Sequence, residues 1–140
     1  MINLDNMNRH HIAISTEVKL IEEEIKKNIS LINPAEAALH INRLAGLLKV
    51  HLIEEDKFLY PNLLKSDDRE VQNMAKQYID EMGDLANSYT EYKNKYNIRN
   101  KISKNMDLFV RDTFDIVEAL KKRITKENNE LYQLIAERNL

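Results

Sequence analysis

Apolar residues recur at i, i+3, i+4 and i+7 along four stretches of the chain, the spacing that lines one face of an α-helix. The first stripe is Met7, His11, Ile14, Val18, Ile21 and Ile25; the second is Leu44, Leu47, His51, Glu55 and Phe58, extended upstream by His40. The third is Met74, Tyr78, Glu81 or Met82, Leu85, Tyr89, Tyr92 and Tyr96; the fourth is Val110, Val117, Leu120, Arg123 or Ile124, Glu127, Leu131 and Leu134. Three breaks separate them. Asn33-Pro34 has the form of an N-cap followed by proline at the first helical position. Ser66-Asp67-Asp68, with Glu70 three residues after Asp67, has the form of a capping-box start, and the polar run from Asn97 to Lys104 is a loop. Helices are therefore predicted over about 4–28, 34–65, 68–96 and 105–138. Pro61 is expected to end or kink the second near Tyr60, because it lacks an N–H and crowds the preceding turn. Short connections make successive helices antiparallel, so the expected fold is all-α, an up-down-up-down four-helix bundle.

Composition supports that class. Two glycines and two prolines in 140 residues leave little to punctuate hairpins, and this length suits one domain spanning 1–140. There is no cysteine, which excludes a disulfide framework, thiolate metal sites and a cysteine nucleophile, so any metal needs nitrogen and oxygen ligands. A net charge of −2, mixed along the chain, argues against nucleic acid or an anionic membrane as the main partner. No apolar run approaches the roughly 20 residues of a transmembrane helix, and MINLDNMNRHH lacks the features of a signal peptide. A cytoplasmic location is expected.

The informative positions are the polar residues inside apolar stripes, since an unpaired buried histidine or carboxylate is costly. In the predicted bundle His11, His51, Glu55, Glu81 and Glu127 fall in one band about 10 to 20 Å from the same end, at 1.5 Å rise per residue. His40 lies about 16 Å away from that band and is expected to stand alone. His10, about 100° around the helix from the stripe, is expected to be solvated. The chain also repeats itself: HLIEEDKFLY at 51–60 aligns with RITKENNELY at 123–132, a constant offset of 72. His51-x-x-x-Glu55 thus maps onto Arg123-x-x-x-Glu127, and a duplicated hairpin would set the copies pseudo-symmetrically across the core. Histidine and glutamate four apart on one helical face are a spacing by which a helix supplies two ligands to one metal ion.

At these residues the chain resembles the hemerythrin-like, HHE cation-binding proteins. The matching pieces are NRHHIAI, with His11 the better match, HLIEEDKFLYP on the second predicted helix, and the H-x-x-x-E-type segment with ELY on the fourth. The resemblance implies a four-helix bundle whose core holds two iron ions on histidines and bridging carboxylates, binding dioxygen or serving sensing or iron handling. Residue by residue it supports His11, His51, Glu55 and Glu127 as metal ligands. The departures are specific. The histidine expected on the fourth helix is Arg123, a permanent cation that cannot ligate a metal. The third helix has no histidine, and the offset of 72 puts Gly83 opposite His11, with Glu81 and Asp84 the nearby ligand-capable side chains. A five-histidine di-iron centre is therefore excluded, and dioxygen carriage of the familiar kind is not expected.

Two readings follow. In one, His11, His51, Glu55, Glu127 and Glu81 form a reduced site, mononuclear or carboxylate-rich dinuclear, suited to Fe, Mn or Zn, for sensing or storage. In the other, Arg123 replaces the metal, pairs with Glu127 and Glu55 in space that Gly83 leaves, and the bundle is a metal-free structural or protein-interaction module, with homodimerisation open. If Arg123 instead snorkels outward with Ile124 in the core, the first reading recovers. The tyrosines at 60, 78, 89, 92, 96 and 132 are read as amphipathic fillers of the core edge. With no phosphate loop, nucleophile elbow or second acid-base set, the chain is expected not to be an enzyme.

Overall fold

The computed structural model describes residues 2–140. Helix α1 spans Asp5–Ile25, α2 Pro34–Glu54, α3 Tyr60–Leu64, α4 Arg69–Tyr96, α5 Arg99–Ser103, α6 Met106–Lys126 and α7 Tyr132–Glu137. Helices α2 and α3 are one rod joined by a π-helical turn at Glu55–Leu59, and α6 and α7 are another, joined by a π-helical turn at Glu127–Leu131. The starts follow local chemistry. Asn33 Oδ1 accepts from the Ala35 and Glu36 N–H groups ahead of Pro34, and Asn105 Oδ1 accepts from Leu108 N. Asp68, one residue beyond the expected cap Asp67, accepts from Glu70 N at 3.0 Å. The predicted 97–104 loop carries the short α5 because Ile102, fully buried, anchors it to the core.

Helix α1 packs on α2 and α6, and α4 packs on the same two. The four rods thus close a ring in chain order, which is the four-helix bundle the periodicity predicts. Among the described residues no strand forms, and no helix is long and apolar enough to cross a membrane.

The core is split in two. One apolar cluster holds Ile14, Val18, Leu44, Leu48, Tyr89, Tyr92, Phe109 and Leu120; the other holds Met7, Leu59, Leu63, Val71, Tyr78, Leu131 and Ile135. On three of the four rods the residues between the clusters are the polar ones, His11 on α1, His51 and Glu55 on the second rod, Arg123 and Glu127 on the last, whereas α4 buries Met82 there. A buried polar slab therefore divides the apolar interior.

Phe58, predicted to face inward, is exposed, and Leu134 is only half-buried; Leu59 and Ile135 take the core instead. The cause is the four-residue spacing of the buried set: His51, Glu55, Leu59, Leu63 in one copy and Arg123, Glu127, Leu131, Ile135 in the other. Steps of four overshoot the 3.6-residue turn by about 40° each, so a continuous α-helix would carry the later members off the core. The π turns absorb that drift. In each, the Tyr N–H reaches five residues back, Tyr60 to Glu55 O and Tyr132 to Glu127 O. The helix runs on through Pro61, and Asn62 Nδ2 donates to the Phe58 carbonyl at 2.7 Å. The second copy has the same turn with Gln133 where the first has Pro61, so proline is not its common cause.

Candidate metal centre

The π turns put both glutamates at the start of a widened turn, facing the slab. His11 Nε2, His51 Nε2 and one carboxylate oxygen each of Glu55 and Glu127 converge within 4.8 Å of one another, and all four residues are buried. The two Nε2 atoms are 3.2 Å apart, and Glu127 Oε1 lies 3.0 Å from His11 Nε2 and 3.5 Å from His51 Nε2. Glu55 Oε1 is in close contact with His51 Nε2. Metal–ligand bonds of about 2.0–2.2 Å separate neighbouring donor atoms in a coordination shell by roughly 3.0–3.5 Å, so the spacing matches donors around one ion.

Hydrogen bonding sets the tautomers. His11 Nδ1 donates to Asn128 Oδ1 at 2.8 Å, which aims its Nε2 into the cluster, 3.2 Å from the Tyr132 hydroxyl. The Tyr132 ring stacks on that imidazole, with centroids 5.1 Å apart and planes at 19°. His51 Nδ1 meets His10 Nδ1 at 3.2 Å, so His10, expected to be solvated, is half-buried against the outer nitrogen of His51. Glu55 Oε2 is buried without a hydrogen-bond partner, and Glu127 Oε2 meets only Arg123 Nε at 3.3 Å, outside hydrogen-bonding geometry. Donors with nothing to receive their lone pairs are what a cation would satisfy, and the residues present fit one.

Arg123 points inward and is buried, with Ile124 only half-buried. Its guanidinium stands 4.5 Å over the Tyr78 ring, and Nη2 donates to the Tyr60 hydroxyl and the Tyr78 carbonyl, each at 3.1 Å. Nε lies 3.3 Å from Glu127 Oε2 and Nη1 3.6 Å from Glu81 Oε2. The expected pairing with Glu55 is absent, because the guanidinium is held on the Tyr78 side of the slab. It flanks the four converging donors without entering them. Gly83 does not make room for it: the residue is exposed, and a Cβ there would meet nothing.

Glu81 stands outside the cluster. Its side chain is 42% exposed, bound by Lys126 Nζ at 2.8 Å and Gln77 Nε2 at 3.0 Å. The helical turn that buries Met82 turns Glu81 outward. His40 stands apart as expected, 2.6 Å from Glu17 and 3.4 Å from Glu36. The reading of all six tyrosines as edge fillers fails for Tyr60 and Tyr132, whose hydroxyls reach the slab. The signal was there, since both belong to the Leu-Tyr pairs in register in the two repeat copies. Asn128, which orients His11, carried no such signal.

The charges balance without a metal. Burial pulls the His51 imidazole down, but its hydrogen bonds to Glu127 and Glu55 outweigh this and hold it at about 9. Burial also works against the Glu127 carboxylate, yet hydrogen bonds from His11 and His51 and the Arg123 charge keep it below its usual range. Burial raises Glu55, against the pull of His51, and burial beside these carboxylates raises Tyr60 and Tyr132. Because the folded His51 value exceeds the unfolded 6.5, its contribution is complete below pH 6.5 and is lost as pH rises toward 9. Chelator-treated protein is thus expected to lose on the order of 2–3 kcal/mol across that window. Urea midpoints at pH 6 and pH 9.5 check this, and His51→Gln should flatten the difference.

Comparison with known proteins agrees with this geometry. No curated protein and no solved structure matches the chain. A family model, the hemerythrin HHE cation-binding domain, matches residues 3–135. With that match over nearly the whole chain, on a four-helix bundle whose polar slab gathers two histidines and two glutamates, the protein belongs to the hemerythrin HHE cation-binding domain family.

Proposed function

We propose that the chain binds one first-row transition-metal ion, Fe, Mn or Zn in the divalent state, through His11, His51, Glu55 and Glu127, and acts in sensing or storage without catalysis. The observation that carries this reading is the convergence of four buried donor atoms, one from each of these residues, within 4.8 Å of one another. Two imidazoles with two carboxylates suit this group of ions. Arg123 stands at the repeat position that His51 holds in the other copy and, as a permanent cation, ligates nothing, which supports one ion over two. When bound, the ion supplies a Lewis-acidic centre able to hold a small ligand.

This chain's residues do the rest. Asn128 fixes the tautomer of His11 and His10 steadies His51. The apolar clusters on either side exclude water. Since His51 must shed its proton to ligate, occupancy trades a proton for a metal ion, and affinity is expected to rise with pH. That exchange is the basis for a sensing role.

A specific observation favours the metal-free alternative. Arg123, with His51, already neutralises the carboxylates, as a permanently structural slab would require. Metal content by mass spectrometry, on untagged protein produced with iron, manganese and zinc supplied, separates the two. The metal reading expects close to one ion per chain, lost in His51→Ala. Less than about a tenth of an ion per chain in all three conditions leaves the structural module.

A further inference from the structure

We propose that the crevice between α2 and α4 binds one medium-chain monocarboxylate, its alkyl chain laid between the helices and its carboxylate held by Lys49 and Lys93. None of the four proposed metal ligands lines this crevice, so the site is independent of the metal reading. Its volume is about 310 Å³, within the range of small-molecule sites, which form between the helices of bundles. The cause is local. Helix α2 packs more extensively on α1 than on α4, and Ala45 and Ala86, which line the gap, are too short to close it. The floor reaches Leu120 on α6, with Leu48 and Met82 beside it, all three buried. Ile53 stands at the edge, 44% exposed, so an alkyl chain laid there removes apolar surface from water on both sides.

The polar groups on the walls select the head of the ligand. Tyr89 donates its hydroxyl to the Ile41 carbonyl at 2.6 Å and Thr90 to the Ala86 carbonyl at 3.0 Å, so neither hydroxyl is free to donate to the crevice. Lys49, Lys93 and Asp56 are left, and among the described residues none of the three has an ion-pair or side-chain hydrogen-bond partner. Register sorts these charges by end. The helices are antiparallel and Asn42 Nδ2 donates to the Asn97 carbonyl at 2.9 Å, which sets Lys49 level with Thr90 and Lys93 about 5 Å beyond, at 1.5 Å rise per residue. Asp56, exposed, falls about 10 Å from Lys49 in the other direction, clear of the cationic end. Lys93 is half-buried, its stem against the crevice and its ammonium at the mouth. Two uncommitted ammonium groups at one end of an apolar slot match a single anionic head on an unbranched chain, with one carboxylate oxygen for each ammonium.

Isothermal titration calorimetry of the full chain with sodium octanoate, kept below its micelle concentration, is expected to show one saturable site, with shifts in the methyl NMR signals of Ala45, Ala86 and Leu120. Acetate, which lacks the chain, and octanol, which lacks the charge, should bind far more weakly. The surface variant Lys49→Met/Lys93→Met should lose about 5- to 30-fold in octanoate affinity and little in octanol affinity. Ala86→Leu, which fills the crevice, should abolish binding with the urea midpoint unchanged or raised. Chelator-treated and zinc-supplied protein should bind octanoate alike. Absence of binding, several octanoates per chain, equal affinity for octanol, or an affinity indifferent to both variants overturns the proposal. So does self-association in sedimentation that produces the same methyl shifts without octanoate, since the crevice would then be a contact between two copies of the chain.

Discussion

Arg123→Met is expected to destabilise the chelator-treated protein by about 3–5 kcal/mol, because removing one partner of a buried ion pair strands the other. The guanidinium is buried, lies 3.3 Å from Glu127, donates to Tyr60 and Tyr78, and is stacked on the Tyr78 ring. Methionine fills similar volume and keeps the packing, so the loss isolates the charge and its hydrogen bonds. The same change should tighten metal binding. A fixed positive charge beside a divalent ion opposes it by roughly 4–5.5 kcal/mol at an effective dielectric near 20 and a separation of about 6–8 Å, equivalent to about 1,000- to 10,000-fold in affinity. Urea denaturation with chelator and again with saturating zinc checks both halves: the variant should be much weaker than wild type in the first and recover most of the difference in the second. A variant as stable as wild type in chelator, with unchanged zinc affinity, would show that Arg123 is not the charge that balances Glu127.

That trade between an arginine and an ion was partly legible from the chain. The four helices, the polar band and its membership of His11, His51, Glu55 and Glu127 follow from periodicity and the 1.5 Å rise alone. What periodicity hid was the register inside the repeat. A strict 3.6-residue template selects Phe58 and Leu134 for the core, whereas buried positions four apart require the π turns that bring Leu59 and Ile135 inward. The outward turn of Glu81 was hidden by a related ambiguity. Glu81 and Met82 compete for one stripe position, and burial favours the thioether while Lys126 keeps the carboxylate at the surface. The tyrosines needed tertiary information. A buried phenol's apolar ring makes it look like core filling in any sequence, and only the positions of His11 Nε2 and the Arg123 guanidinium give the hydroxyls of Tyr132 and Tyr60 their partners.

Glu127 is the residue on which both cations and the proposed ion depend, so Glu127→Gln is expected to have the broadest effect. One oxygen faces His11 and His51 and the other faces Arg123. A glutamine can place its carbonyl toward Arg123 and its amide toward the histidine side, so much of the hydrogen bonding survives. The charge does not. Arg123 and protonated His51 then face Glu55 alone, and the loss should again be about 3–5 kcal/mol, accompanied by loss of the metal because an anionic donor has become neutral. The double variant Arg123→Met/Glu127→Gln separates electrostatics from general damage to the slab. If the two residues act as a pair, the double variant should be more stable than the sum of the single losses by about 1–3 kcal/mol, since neither charge is left without its partner. Strict additivity in urea denaturation would mean that each side chain acts through separate contacts, Arg123 through the Tyr78 ring and carbonyl and Glu127 through the two histidines. The slab would then be held by hydrogen bonds to tyrosine and histidine, not by charge neutralisation across α6.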